Sequence, residues 1–274
     1  MTTGLAPRRV FLYCALPCEA APLIAYFKLK KDTSIWPFAV YGNEAICLTV
    51  TGLGKNAMAA AVAYSQARLA VIDPPIMINV GIAGHSHYAL GSAWLIDKII
   101  DVDSQKRYYP PLVFTSPCAT ANLHTVSTPQ PNYPPSALCD MEAAAFYETA
   151  VRFTSGELVQ SLKVVSDNSA SPVANINPKQ VSAWIEGQLP TIEILLTRLT
   201  GLAASITIQE PPIFAEWVSR IHFTANEQMQ LKNLICRWQV LNPQQTLVID
   251  NACLKAKDVL RTLEQAINSG ECYF

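Results

Sequence analysis

Three carboxylates, Glu19, Glu142 and Asp167, stand where apolar runs give way to a turn or a helix, the places from which side chains of an α/β protein reach a ligand. A carboxyl group does opposite jobs in its two charge states. Protonated, it supplies a proton to a leaving group; ionised, it accepts protons or steadies developing positive charge. Taken singly, each has a plain structural explanation: an aspartate after a buried strand caps the next turn, and a glutamate in the first turns of a helix favours the macrodipole. Three at one rim form the kind of cluster that active sites use. Beside them lie Ser166, Asp140 and Met141, and the bare backbones of Gly52-Leu53-Gly54-Lys55 and Gly81-Ile82-Ala83-Gly84. The expected site is an acidic pocket floored by glycines.

Rival chemistries fit less well. Gly52-Leu53-Gly54-Lys55 lacks the full spacing of a phosphate-binding P-loop, so its glycines serve a tight turn or a close ligand approach. Gly84-His85-Ser86-His87-Tyr88 resembles a nucleophile elbow with Ser86 attacking an ester, but Tyr88 stands where the sharp turn needs glycine, and neither His124 nor His222 has a supporting pattern. Zinc on His85 and His87 lacks a third ligand, and Cys14 and Cys18 have no histidine nearby, so no metal is expected.

The elements that must position these residues follow from the apolar pattern. Residues 9–16 read as a strand buried on both faces, leading into a helix that begins near Glu19. Residues 37–41 and 45–51 form a hairpin about Gly42-Asn43, followed by an alanine-rich helix over 56–69. Strands are predicted at 76–80, 92–101, 123–127 and 159–165, and helices at 137–154 and 178–200. The proline-rich stretch 108–135 reads as a long functional loop. Past residue 200 the character changes to two amphipathic helical segments, 214–238 and 255–267, giving a domain over 1–200 and a helical extension over 201–274.

With 274 residues, half of them hydrophobic, 15% charged and a net charge of -1, the chain can bury a sizeable core and lacks a polyanion-binding balance. Small-molecule ligands are expected, with no nucleic acid and no membrane. No apolar run approaches the roughly 20 residues of a bilayer span, and no signal-peptide core follows the first residues, so a cytoplasmic location is expected. The eight scattered cysteines read mostly as buried, reduced thiols.

Five segments together resemble the nucleoside phosphorylase and nucleosidase superfamily, which includes methylthioadenosine/S-adenosylhomocysteine nucleosidase and bacterial nucleoside phosphorylases. They are Ala15-Leu16-Pro17-Cys18-Glu19, Val50-Thr51-Gly52-Leu53-Gly54-Lys55, Asn79-Val80-Gly81-Ile82-Ala83-Gly84, Asp140-Met141-Glu142-Ala143-Ala144-Ala145 and Val165-Ser166-Asp167-Asn168, in the family's order over residues 9–200. The resemblance implies a three-layer αβα fold with a twisted mixed central sheet and a homo-oligomer, dimeric or higher. It implies that Asp167 protonates a leaving purine, held by Ser166, and that Glu19 activates the nucleophile. Glu142 would hold the ribose hydroxyls and Met141 would pack against the sugar, with Asp140 also on the substrate-binding side; the amides of Gly81, Ile82, Ala83 and Gly84 would face the anomeric side, and Gly52, Gly54 and Lys55 would lie toward the nucleophile. No cofactor is implied, and phosphate is a conceivable co-substrate. Asn79 stands where bacterial phosphorylases of this type often carry arginine, the residue suited to phosphate, so water is the favoured nucleophile. Ile82 replaces a serine usual in the nucleosidases, and residues 123–133 replace the usual base-binding stretch, which leaves the base open. Phosphorolysis, a non-catalytic nucleoside-binding or scaffold role, and a weak reading as a serine esterase through Ser86 are the alternatives.

Overall fold

Nearly unbroken apolar runs make the centre of the molecule: β1 (Val10–Cys14) is buried at every position, as a strand covered on both faces must be. The computed structural model describes residues 10–206 apart from 36, 70–73, 130–132 and 135, and residues 211–268 apart from 244, 246 and 248–254. After β1 come α1 (Pro17–Tyr26), β2 (Lys30–Lys31), β3 (Ala39–Gly42), β4 (Ile46–Val50), α2 (Lys55–Leu69), β5 (Ile76–Gly84) and β6 (Ala93–Asp101). They are followed by β7 (Arg107–Tyr108), β8 (Thr120–Thr125), β9 (Leu138–Asp140), α3 (Ala143–Ala150), β10 (Val159–Asp167), α4 (Pro178–Gly187) and α5 (Leu189–Ile206). Then come α6 (Pro212–Arg220), α7 (Ala225–Leu241) and α8 (Ala256–Asn268).

The strands form one mixed sheet in the order β10-β6-β8-β9-β5-β1-β4-β3-β2, with β7 on β6. β5 also pairs in parallel with β10, so the part of the sheet holding β5, β10, β6, β8 and β9 closes on itself. The seam between β5 and β9 is a single pair, Gly84↔Cys139. Helices cover both faces. On one, Ala20 and Leu23 of α1, Val181 and Ile185 of α4 and Ile192 of α5 share a core with Leu12, Ile78 and Leu162. On the other, Met58 and Val62 of α2 and Phe146 of α3 pack with Phe11, Tyr13 and Met77. This is the three-layer αβα arrangement with a mixed sheet.

The hairpin stands as β3 and β4, antiparallel through Tyr41↔Leu48. Other boundaries move. β5 and β10 run on through Gly84 and Asp167, because each supplies the other with backbone partners over that length. The helix expected over 137–154 is instead β9 followed by the shorter α3: Leu138 and Asp140 are drawn into parallel pairing with Leu123 and Thr125 of β8. The helix expected over 178–200 is two, broken at Gln188, where Pro190 suits the first turn of a new helix and not the interior of an old one.

Among the described residues α5 is, contrary to the sequence expectation, long and apolar enough to cross a membrane by length and composition, yet its Ile192, Leu195 and Leu199 are fully buried in the core. Of the described cysteines Cys14 and Cys47 are buried while Cys18, Cys118, Cys139 and Cys236 are only partly so, fewer buried than expected; Cys253 and Cys272 lie outside the described residues. The chain divides into two compact units, residues 1–207 and 208–274. The second has its own core, with Trp217, Phe223, Leu231, Ile235, Val259 and Leu263.

Candidate active site

The pairing of β10 with β5 slips by one residue between Val165 and Asp167. In an even strand Ser166 and Asp167 would point to opposite faces; with the irregularity both line one cavity, and Ser166 Oγ donates to Asp167 Oδ1 at 2.5 Å. The Tyr133 hydroxyl donates to the other carboxylate oxygen. The cavity encloses about 290 Å³, near the small end of ligand pockets.

Glu19 and Glu142 line the same cavity from separate elements. Glu19 sits in the first turn of α1, where its Oε2 accepts from the Leu16 amide at 2.8 Å, the reciprocal half of a helix cap. Its Oε1 accepts from the Ile82 amide of β5 at 2.9 Å. Gly81 makes this approach possible, since a Cβ there would lie 3.0 Å from that oxygen. Glu142 precedes the first turn of α3, and its Oε1 accepts from the Gly54 amide at 2.8 Å. Gly52 and Gly54 have φ of +85° and +93°, so the turn they build needs glycine and aims that amide at the carboxylate.

Behind these groups lies a residue that its sequence context does not flag. Lys163, on the otherwise apolar β10, is 1% exposed and its Nζ pairs with Asp140 Oδ2 at 2.8 Å. Burial alone would strip its proton, but the charges of Asp140, Glu142 and Glu19 outweigh burial and raise its pKa. Asp140 has its other bonds filled too, from Thr125 Oγ1 at 2.7 Å and the Ala143 amide at 2.9 Å. Its carboxylate therefore anchors the lysine and the start of α3. Burial, then the charge of Asp140, pushes Glu142 up to about 7, while Lys163 and the Gly54 amide pull the other way. Glu19 is raised by burial against the pull of its two amides and Lys163. An ionised Glu142 is thus only partly populated at neutral pH without a hydrogen-bonding ligand.

Of the residues singled out from sequence, Glu19, Ile82, Ala83, Gly84, Asp140, Met141, Glu142, Ser166 and Asp167 all line the cavity. Gly52, Gly54 and Gly81 are not among the described residues that line the cavity. Lys55 does not line it; its ammonium pairs with Asp101 at 2.8 Å and Asp103 at 2.6 Å. Asn79 is buried and donates to the Tyr13 carbonyl. Ser86 Oγ has no hydrogen-bond partner and His85 Nδ1 accepts from the His87 and Tyr88 amides, so among the described residues no base is hydrogen-bonded to that serine. Val126, Pro129, Tyr133, Val173 and Ile176 add an apolar wall from the proline-rich stretch and the turn after β10, segments without periodicity to flag them.

A closed mixed sheet with helices on both faces is also the fold of solved nucleosidases. Solved structures it is similar to include methylthioadenosine/S-adenosylhomocysteine nucleosidases. The Arabidopsis thaliana 5′-methylthioadenosine nucleosidase is 20% identical, with TM-score 0.57, covering 70% of this chain and 98% of its own. An Asp-to-Asn variant of the Helicobacter pylori enzyme with 5′-methylthioadenosine in its active site is 9% identical, with TM-score 0.56, over 69% and 98%. The enzyme from Chlamydia trachomatis, also as an Asp-to-Asn variant, is 18% identical, with TM-score 0.53, over 69% and 98%. No family sequence model and no curated protein sequence matches the chain, so the likeness is one of fold.

Proposed function

We propose that this protein hydrolyses the N-glycosidic bond of a purine nucleoside. The observation that carries the reading is that Glu19, Glu142 and Asp167, far apart in sequence, line one cavity of small-molecule size in a fold shared with nucleosidases. Breaking C1′–N passes through an oxocarbenium-like state, with positive charge on the sugar and negative charge on the departing base. Asp167 is the source of the proton that makes the base a tolerable leaving group. Glu142 receives the ribose hydroxyls. Two hydroxyl donors favour its charged form, so the sugar brings the carboxylate to the state that then steadies the cation. Glu19, fixed by two amides, keeps lone pairs free to take a proton from the attacking water. Lys163 keeps this concentration of carboxylates from repelling itself apart.

Water is favoured over phosphate because no lysine or arginine is among the described lining residues, and Lys55 is engaged elsewhere. A chromatographic screen of nucleosides, starting from 5′-methylthioadenosine, with and without phosphate, tests the reading. The expected result is free base and free sugar without phosphate, lost in Asp167→Asn. A strict need for phosphate, with a sugar phosphate as product, overturns hydrolysis. Tight nucleoside binding with no turnover across the panel overturns catalysis and leaves a binding protein.

A further inference from the structure

Tyr133 is held between a glycine and the acid. A Cβ on Gly84 would lie 2.5 Å from Asp167 Oδ2 and closer still to Cε1 of the Tyr133 ring. The ring therefore rests on bare backbone at the end of β5, and its hydroxyl reaches Asp167 Oδ2. Ser166 already occupies Oδ1. Each oxygen of the acid thus has a hydroxyl against it. A carboxyl proton on the side of Oδ2 that faces Tyr133 has two exits there: it displaces Tyr133, or it passes through. Displacement means lifting a half-buried ring off the surface it packs on. Passage needs only that the hydroxyl turn, because a phenol accepts and donates at the same time.

We propose that Tyr133 is a catalytic residue whose hydroxyl gives its proton to the leaving nitrogen of the base while taking the proton of Asp167 Oδ2. The proposal rests on the glycosidic reading of the cavity and adds the route of the proton. The step balances: the Tyr133 O–H breaks as the base N–H forms, and the Asp167 O–H breaks as the Tyr133 O–H is restored. The C1′–N electron pair leaves with the base. Tyr133 ends neutral and Asp167 ends as a carboxylate, while water bonds to C1′ and yields its proton to Glu19. Burial and then the neighbouring Asp167 raise the phenol's pKa, so a free phenolate is disfavoured and the two transfers run together.

The test uses the full chain, Tyr133→Phe and Asp167→Asn, on two substrates: the purine nucleoside best turned over in the screen, and 4-nitrophenyl β-D-ribofuranoside, whose leaving group needs no proton. Tyr133→Phe should lower kcat on the nucleoside by roughly 10²- to 10⁴-fold, the usual worth of general-acid catalysis, and change kcat on the aryl riboside by less than about threefold. Nucleoside turnover kept or raised in Tyr133→Phe overturns the relay, since Asp167 then delivers its proton directly. Equal losses on both substrates also overturn it and make the tyrosine a structural support. A proton inventory of the unaltered protein in mixed light and heavy water needs no variant: several protons moving together, the two of the relay among them, bow the plot, and a straight line overturns the relay. Inactivity of the unaltered protein on both substrates overturns the glycosidic reading itself, a different outcome from an active protein indifferent to Tyr133.

Discussion

Lys163 is the residue on which the acidic site depends physically, because it is the cation set among Asp140, Glu142 and Glu19. Removing one partner of a buried pair leaves an uncompensated charge, so Lys163→Met should cost about 3–5 kcal/mol of stability, read as a fall in the urea midpoint. An unchanged midpoint would mean that the pair is solvated in solution. Glu142 carries a pH signature. Its folded pKa of about 7 lies above the unfolded value of about 4.3, so folding takes up a proton between the two. The stability this contributes is complete below the unfolded value and disappears as pH rises through the folded one. The urea midpoint should therefore fall between pH 5 and pH 8 more steeply in the unaltered protein than in Glu142→Gln, and parallel curves would defeat the assignment. Glu19, Glu142 and Asp167 are legible in the sequence because a charge where an apolar run ends is visible without coordinates. Lys163 is not, because nothing in Leu162-Lys163-Val164 tells a buried ion pair from a lysine turned to solvent. Tyr133 stands out in the sequence only as part of a proline-rich stretch, whose lack of periodicity hides which side chain turns inward.

At the scale of elements, the site depends on where β5 and β10 stop and on how closely their ends approach. Long apolar runs make these two strands readable, whereas their extension to Gly84 and Asp167, and the slip at Ser166, depend on pairing that exists only once the chain is folded. β9 escapes a sequence reading for a related reason: three residues carry too little pattern to outweigh the helical look of the alanine-rich segment after them, and its stability is borrowed from β8. Gly84 tests the closeness of the approach. Gly84→Ala would force its methyl group into the Tyr133 ring and the Asp167 carboxylate, which Ser166 and Tyr133 hold by hydrogen bonds. Overpacking of this kind should cost about 1–3 kcal/mol and, because the displaced group is the acid, lower nucleoside turnover by at least about 100-fold. Gly187→Ala is the control: a Cβ there meets nothing within 4 Å, so a helical alanine should raise stability by about 0.4–1 kcal/mol and leave turnover alone. Equal activity in the two variants would mean that the end of β5 has room that the structure denies it.

For the whole molecule, the question is what residues 208–274 add. Their helical nature is legible from apolar spacing, but that they gather a core of their own is not, because periodicity shows that a helix has an apolar face without showing what the face meets. Every described residue lining the cavity lies in the first unit. Within the second unit Ile235 and Val259 are fully buried and Leu263 is 1% exposed. Two units with separate cores respond separately to damage. Ile235→Ala should cost the second unit about 2–5 kcal/mol through lost burial and the cavity left behind. Calorimetry should then show an unfolding transition moved down in temperature, while the transition that nucleoside binding raises keeps its place. Ending the chain after residue 207 should remove the first of these transitions and keep turnover within about twofold, because the lining and its supporting Lys163 and Asp140 stay intact. If turnover instead collapses in both variants, the two units act as one cooperative body, and the helical extension belongs to the machinery of the cavity.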